Sequence, residues 1–237
     1  MTKEPALPRW AEELRTRYIS GEASLFLLHG NVRDLYAWTD EDGSQQYLDL
    51  QSFLFKFLSR AKETILYYNI SDGLSSKGQK RGSGLLKRIN TRRLLQGRSA
   101  FDRLPGDLSG VLKTVESLIT DRDSNAAVVL DYLETIAPMG DLTFMSEEEK
   151  GNLVRLQRWT SNPMLLSTDN LVIMITQNLS NVHRRLVSCA QLATVNISLP
   201  DADERYAFAK LTDRSNVKFT KDMSLKAFAN VCAGLNL

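Results

Sequence analysis

The stretch Ala126-Ala127-Val128-Val129-Leu130-Asp131 sets the fold class that this sequence predicts. Five apolar residues lead directly to one carboxylate, which is the pattern of a buried parallel strand that ends in a polar group. Residues 171–178 and 194–200 repeat the pattern, because each apolar run there ends in polar residues or a proline. We therefore predict three strands whose polar carboxyl ends share one edge of a sheet, where open α/β sheets bind their ligands.

Outward from these runs, the chain alternates between strand and helix patterns. Residues 24–30 and 63–70 supply two earlier strands, and apolar positions at helical spacing occur between the strands. This alternation predicts a parallel sheet with right-handed crossovers. The expected fold class is α/β, a three-layer sandwich around a parallel five-stranded sheet.

Length and composition are those of an ordinary globular chain. Its 237 residues are 43% apolar, and the formal net charge of +2 gives no global electrostatic reason to bind nucleic acid or a membrane. No signal-peptide core follows the polar N-terminus, and no apolar stretch approaches the ~20 residues of a membrane helix. The two scattered cysteines, Cys189 and Cys232, are too few for a disulfide framework or a zinc site. We expect a cytoplasmic protein with no membrane partner.

Residues 72–106 differ from the rest of the chain in their density of glycine and positive charge. Nine lysines and arginines fall within this segment, and Asp102 is its only acid after Ser75. The pattern predicts a basic mobile loop with a short helix over residues 85–95. A solvated loop without a partner is the alternative interpretation. The candidates for contact with a polyanion, either nucleic acid or an acidic protein, are Lys87, Arg88, Arg92 and Arg93.

The turn after the first predicted strand lacks the groups that hold nucleotide phosphates. It reads His29-Gly30-Asn31-Val32-Arg33-Asp34-Leu35, with one glycine, no lysine and no serine or threonine. The motif G-x-x-x-x-G-K-[ST], whose backbone amides and lysine cradle phosphates, occurs nowhere in the sequence. We therefore predict that residues 29–35 do not wrap a triphosphate.

From Asp107 onward, the order of motifs resembles the AAA+ ATPase family. Residues 127–131 are similar to the Walker B strand, and residues 173–178 to the sensor-1 strand. The resemblance implies that Asp131 binds the nucleotide's magnesium through water and that Asn178 contacts the nucleotide. It also implies a P-loop NTPase-like fold with an N-terminal helix at residues 1–22, a degenerate α/β domain at 23–200 and the start of a helical lid, truncated, at 201–237.

The chain departs from the AAA+ pattern at the positions that perform hydrolysis. The Walker B glutamate is replaced by Tyr132, so the nearest candidate for a catalytic base beside Asp131 is Glu134. The positions of the family's arginine fingers carry other residues. Arg184 and Arg185, which lie close by in the sequence, are the candidates for acting on a neighbouring subunit's nucleotide.

The resemblance and its departures together predict a degenerate, non-hydrolysing AAA+ module of a cytosolic ATPase. This module serves assembly, regulation or substrate contact, while a second, C-terminal AAA+ module or other subunits of a homo-oligomer bind ATP and Mg²⁺. The chain alone is expected to bind no cofactor. Two alternatives stay open: an adaptor or scaffold like the non-catalytic clamp-loader subunits, and a divergent active ATPase that uses Asp131 and Glu134.

Overall fold

A computed structural model describes residues 7–76, 83–95, 97, 99–100, 102, 104–212 and 223–237. The strands in these residues are β1 Leu25–Gly30, β2 Leu35–Thr39, β3 Gln45–Asp49, β4 Thr64–Asn69, β5 Gly73–Ser76, β6 Ala126–Leu130, β7 Leu171–Ile175 and β8 Leu192–Ile197. The helices are α1 Arg9–Ile19, α2 Leu50–Leu58, α3 Ser83–Leu95, α4 Leu108–Ile119, α5 Leu133–Ile136, α6 Glu147–Thr160, α7 Pro163–Leu166, α8 Arg184–Val187, α9 Ala202–Leu211 and α10 Leu225–Val231, with a 3₁₀ turn at Leu179–Asn181.

The main sheet has the strand order β5-β4-β6-β7-β1-β8. The strands β1, β4, β6, β7 and β8 pair with one another in parallel, which confirms the predicted five-stranded parallel sheet. The chain passes from β1 across two strand positions to β4, returns through β6 and β7, and then places β8 on the other side of β1. The strand order therefore reverses beside β1, and the carboxyl ends there form the crevice in which such sheets bind ligands.

Helices cover both faces of this sheet, as the predicted three-layer sandwich requires. Because side chains alternate along a strand, β6 contributes Val128 to a core with α4 and α6, and Val129 to a core with α1 and α2. Each strand of the sheet centre is buried on both faces, which explains why these segments read as continuous apolar runs.

Local side-chain caps mark the starts of several helices. Asp107 accepts a hydrogen bond from the Gly110 amide at 2.7 Å at the start of α4. Capping boxes join Ser146 to Glu149 at the start of α6 and Asp201 to Glu204 at the start of α9.

Two elements were missed by the sequence pattern. The acidic residues 40–44 form the turn that joins β2 and β3 into an antiparallel hairpin outside the main sheet. Strand β5 pairs antiparallel with β4 at the sheet edge, inside the segment predicted as a mobile loop. Strand β5 has only four residues, and they show no apolar alternation that would have predicted a strand.

The predicted basic helix is present as α3, and residues 77–82 of the same segment lie outside the described residues. After β8, the helices α9 and α10 pack against each other, and Arg205 Nε donates to the Ala229 carbonyl at 2.8 Å. In the part of the chain that the structure describes, every helix is too short or too polar to cross a bilayer.

Candidate functional site

A cavity of about 730 Å³ lies at the carboxyl ends of β1, β4 and β6. Its floor includes the ends of those strands, and its walls come from the loop after β1, the start of α2 and the turn after β4. The charged residues of its lining are Arg33, Asp34, Asp49, Asp72 and Asp131. With four carboxylates and one guanidinium, the lining side chains have an excess of negative charge.

Asp131 follows β6 directly and is only 3% exposed. Arg33, from the loop after β1, contacts it through two parallel hydrogen bonds: Nη1 to Oδ2 at 2.8 Å and Nη2 to Oδ1 at 2.7 Å. The Tyr67 hydroxyl donates to Oδ2, and the Tyr132 amide donates to Oδ1 at 2.8 Å. Each carboxylate oxygen therefore already accepts two hydrogen bonds from the protein.

The Tyr132 ring contacts the guanidinium of Arg33. The Arg33 Cζ atom lies 3.9 Å from the centroid of the Tyr132 ring, within the range of a cation–π contact. The Tyr132 backbone has φ 53° and ψ 51°, a left-handed conformation that no other non-glycine residue among those described adopts. A hydrogen bond to Asp131 raises the pKa of Arg33, and burial raises the pKa of the Tyr67 phenol.

Four backbone amides in and beside the loop after β1 donate hydrogen bonds to the protein itself. The amides of Gly30, Asn31 and Val32 donate to the carbonyls of Gln177, Ile197 and Gly30, at 2.8 to 3.1 Å. The amide of Leu35 donates to Asp34 Oδ1 at 2.8 Å. Four N–H groups that a phosphate cradle would aim at its ligand are therefore already paired.

Asp34 adds a buried carboxylate to this loop. It also accepts hydrogen bonds from the Asn31 side chain and from the amide of Leu237, the latter at 2.8 Å. These contacts tie the loop after β1 to the segment that follows α10. They place a negative charge next to Arg33, where the AAA+ pattern would place phosphate.

Glu134 and Asp131 have different hydrogen-bond partners in the structure. Glu134 lies in α5 and accepts a hydrogen bond from the Thr176 hydroxyl at 2.8 Å. Thr176 is buried and comes directly after β7, so it occupies the strand end on which Asn178 was expected. Asn178 lies two residues further on, exposed, at the start of the 3₁₀ turn, where its side chain makes no capping hydrogen bond.

The two arginines predicted to act in trans are exposed on the short helix α8. Helix α8 starts at buried His183, whose Nδ1 accepts a hydrogen bond from the Arg185 amide at 3.3 Å. His183 is thus a capping residue, while the side chains of Arg184 and Arg185 face solvent.

The four predicted polyanion contacts all lie on α3. Lys87 is exposed, and Arg93 is half-buried with its Nε donating to the Ser99 carbonyl at 2.7 Å. The side chains of Arg88 and Arg92 lie outside the described residues, so the contact with a polyanion stays a prediction.

Within the described ranges, no set of three or more histidine, cysteine, aspartate or glutamate side chains comes together as a metal site. The residues that sequence reasoning missed are the ones that fill the coordination space around Asp131: Arg33 and Tyr67. Arg33 had a signal, because it is the one cation in the loop that lacks the expected lysine. Tyr67 had no such signal, since the β-branched and aromatic residues around it indicated only a strand.

The mainly parallel sheet, its crevice beside β1 and the polar end of β6 define the class as an α/β, Rossmann-like domain. A family model described as "AAA+ chaperone, N-terminal Rossmann-like domain" matches residues 1–198. The chain belongs to this family, which confirms the predicted AAA+ relationship and its N-terminal position in an AAA+ protein. A search of curated proteins gave no match to the sequence.

Proposed function

We propose that this chain is a degenerate AAA+ chaperone module that does not hydrolyse ATP. Its role is in assembly, regulation or substrate contact, while a second AAA+ module binds ATP and Mg²⁺. The observation that carries this proposal is the saturation of Asp131 by Arg33, Tyr67 and the Tyr132 amide.

Asp131 lacks the open carboxylate oxygens that a magnesium site needs. A hydrated Mg²⁺ needs a carboxylate whose oxygens are open to its water ligands. The Arg33 guanidinium covers both oxygens of Asp131 and supplies the compensating positive charge itself. A metal would have to displace a bidentate ion pair whose carboxylate is buried, so these residues do not fit Mg²⁺.

The loop after β1 lacks the groups that a triphosphate needs. Phosphate binding depends on free backbone amides and a lysine, because these groups neutralise the charge on the oxygens. In the loop after β1, four amides are already bonded and the buried Asp34 adds a negative charge. The residues present therefore do not fit a triphosphate any better than they fit the metal.

Neither Tyr132 nor Glu134 is placed as a free general base beside Asp131. A general base must reach the water that it activates. Glu134 is engaged by Thr176, and the residue next to Asp131 is Tyr132, whose phenol supports the Arg33 guanidinium. The position directly after Asp131 therefore carries no carboxylate for that task.

This proposal assigns ATP and Mg²⁺ to a C-terminal AAA+ module or to other subunits of a homo-oligomer. The exposed Arg184 and Arg185 are then the groups that could contact a neighbouring subunit's nucleotide. The basic helix α3 is a second contact surface, for nucleic acid or an acidic protein. The location of the whole protein is proposed to be cytoplasmic.

Isothermal titration calorimetry of residues 1–237 with ATP and Mg²⁺ tests the proposal directly. We expect no saturable heat and no phosphate release, because Asp131 is occupied by Arg33. Asp131→Ala and Glu134→Gln are the matched variants, and both should give the same flat titration as the unmodified chain. Hydrolysis by the unmodified chain that disappears in Asp131→Ala would favour the divergent ATPase instead.

A further inference from the structure

The most exposed large apolar side chain among the described residues is Phe144, which is 89% exposed. It lies in the turn between α5 and α6, five residues after Met139, which is 50% exposed. Burial of a phenylalanine side chain contributes about 1.5–3 kcal/mol to the free energy of folding. Phe144 is exposed, so it contributes little of that free energy here. Folding of this chain therefore supplies no reason for an aromatic side chain at this position.

The turn that carries Phe144 is held by many hydrogen bonds. The Phe144 amide donates to the Asp141 carbonyl at 3.0 Å, and the Thr143 amide donates to Asp141 Oδ1 at 2.8 Å. The Met139 amide donates to the Asn181 carbonyl at 2.8 Å, which ties the other end of the turn to the segment before α8.

Packing holds the same turn from beneath. Leu142 and Met145, on either side of Phe144 in the sequence, pack against the core formed with α4 and α6. The capping box of Ser146 and Glu149 then starts α6 directly after the turn. Phe144 is thus presented to solvent on a backbone that is ordered before any partner binds, which lowers the entropy cost of a contact.

The sequence segment around Phe144 is acidic. Residues 139–149 contain four carboxylates, Asp141, Glu147, Glu148 and Glu149, and no lysine, arginine or histidine. The side chain of Glu147 is 92% exposed even though it pairs with Lys150, and Glu148 is exposed as well. A partner that covers Phe144 would therefore gain from carrying positive charge beside its apolar groups.

The small size of the apolar surface favours a peptide over a second folded copy. A stable protein–protein interface buries about 800 Å² on each partner, whereas one aromatic side chain offers about 150–250 Å². Phe144 and Met139 together fall far short of the first figure. They suit an anchor for an extended segment, in which one or two apolar side chains provide most of the binding energy.

We propose that the turn at residues 139–145, together with the first turn of α6, binds extended polypeptide segments that combine apolar with lysine or arginine side chains. Phe144 and Met139 contact the apolar groups, and Glu147 and Glu148 contact the cations. This inference deepens the substrate-contact role given above and rests on that proposed function.

The test is fluorescence anisotropy of the whole chain, residues 1–237, with two short labelled peptides and no nucleotide. The peptides share the same leucines and phenylalanine and differ only in lysine against glutamate at the remaining positions. We expect the lysine peptide to bind more tightly, with an affinity that falls as salt screens the charges. In Phe144→Ser, that affinity should fall about tenfold or more, as for an interface anchor.

Matched variants separate the contribution of Phe144 from general effects of changing the protein surface. Val154→Ser removes another exposed apolar side chain, on α6 itself, and should leave binding unchanged. Glu147→Gln with Glu148→Gln should weaken the lysine peptide and not the glutamate peptide, whereas Ala at Arg184 and Arg185 should not weaken the lysine peptide. Thermal unfolding of each variant checks that the fold is kept, which is expected for exposed positions.

The proposal is overturned if neither peptide binds, if both bind equally, or if Phe144→Ser binds like the unmodified chain. These outcomes are independent of the nucleotide status of the module. Saturable binding of ATP with Mg²⁺ would contradict the proposed function, and the peptide measurements without nucleotide would be unaffected by it.

Discussion

Arg33 replaces two components that a nucleotide site would need. It supplies a permanent positive charge to Asp131, and its bidentate geometry occupies both carboxylate oxygens. The stacked Tyr132 ring and the Tyr67 hydroxyl complete the contacts around this pair. Because the Asp131 carboxylate is buried, loss of these partners costs more folding free energy than loss of a surface ion pair does.

We predict that Arg33→Ala lowers the free energy of unfolding by about 3 kcal/mol, because it leaves a buried carboxylate without its counter-charge. Asp131→Asn introduced into Arg33→Ala should recover part of that loss, since the neutral amide needs no counter-charge. Urea denaturation of the two single variants and the double variant gives the coupling free energy.

The control for this cycle is Lys150→Ala, which removes an exposed ion pair with Glu147. We expect it to cost less than about 1 kcal/mol. Equal losses for Arg33→Ala and Lys150→Ala would show that Asp131 does not depend on Arg33.

At the scale of elements, the shape of the loop after β1 depends on the close approach of β1 and β8. Gly30 ends β1 with φ +95° and pairs with Ile197 in β8. A Cβ atom at this position would lie 2.5 Å from the Ile197 carbonyl oxygen. Only glycine lets the two strands approach so closely and turn the chain toward Arg33.

We predict that Gly30→Ala destabilises the chain by about 3 kcal/mol, from the left-handed backbone and the clash with β8 together. The matched control is Gly43→Ala in the β2–β3 hairpin, where φ is +84° but open space surrounds the position. That variant should cost about 1 kcal/mol, for the backbone conformation alone. Similar losses in chemical denaturation for the two variants would contradict the clash.

At the scale of the whole molecule, tyrosines link separate elements to the sheet. The Tyr18 hydroxyl joins α1 to Asp169 and the buried Lys62. The Tyr36 hydroxyl joins β2 to the loop after β1, and the Tyr67 hydroxyl joins β4 to the end of β6. Burial is the largest cause that raises the pKa of each of these three phenols. The folded state therefore holds them neutral at pH values where the unfolded chain would ionise them.

This difference predicts a loss of stability in alkali. The contribution is fully present below about pH 10, the ordinary pKa of tyrosine, and it falls as the pH rises above that value because only the unfolded state releases the protons. Tyr67→Phe should reduce the slope by at most about 1.4 kcal/mol per pH unit, the limit for one group. Thermal or urea unfolding between neutral and strongly alkaline pH measures it.

Tyr206→Phe, which alters an exposed tyrosine on α9, is the matched control for that slope. It should leave the alkaline loss as steep as in the unmodified chain. Stability that stays constant above the ordinary tyrosine pKa would contradict the prediction.

Much of the fold could be predicted because its signals are local. The buried strands β6 and β7 are continuous apolar runs, and the caps of α4, α6 and α9 are readable from a few neighbouring residues. The hairpin β2–β3 and strand β5 were missed because they are short and only partly buried, so no continuous apolar run marks them. A different limit applies to the site: Asp131 was found at its strand end, while the Tyr67 hydroxyl that bonds to it comes from 64 residues away.

The sequence by itself determined the α/β class, the order of the parallel strands' apolar runs and the lack of a phosphate-binding loop, because periodicity and motif spacing are properties of neighbouring residues. Only the tertiary structure decided that Arg33 pairs with Asp131, that Glu134 faces Thr176, and that Phe144 is left in solvent. Contacts between residues far apart in the chain depend on the sheet order and on which face each side chain occupies. Neither follows from local pattern, so the charge balance of the site could be established only once the fold had brought those residues together.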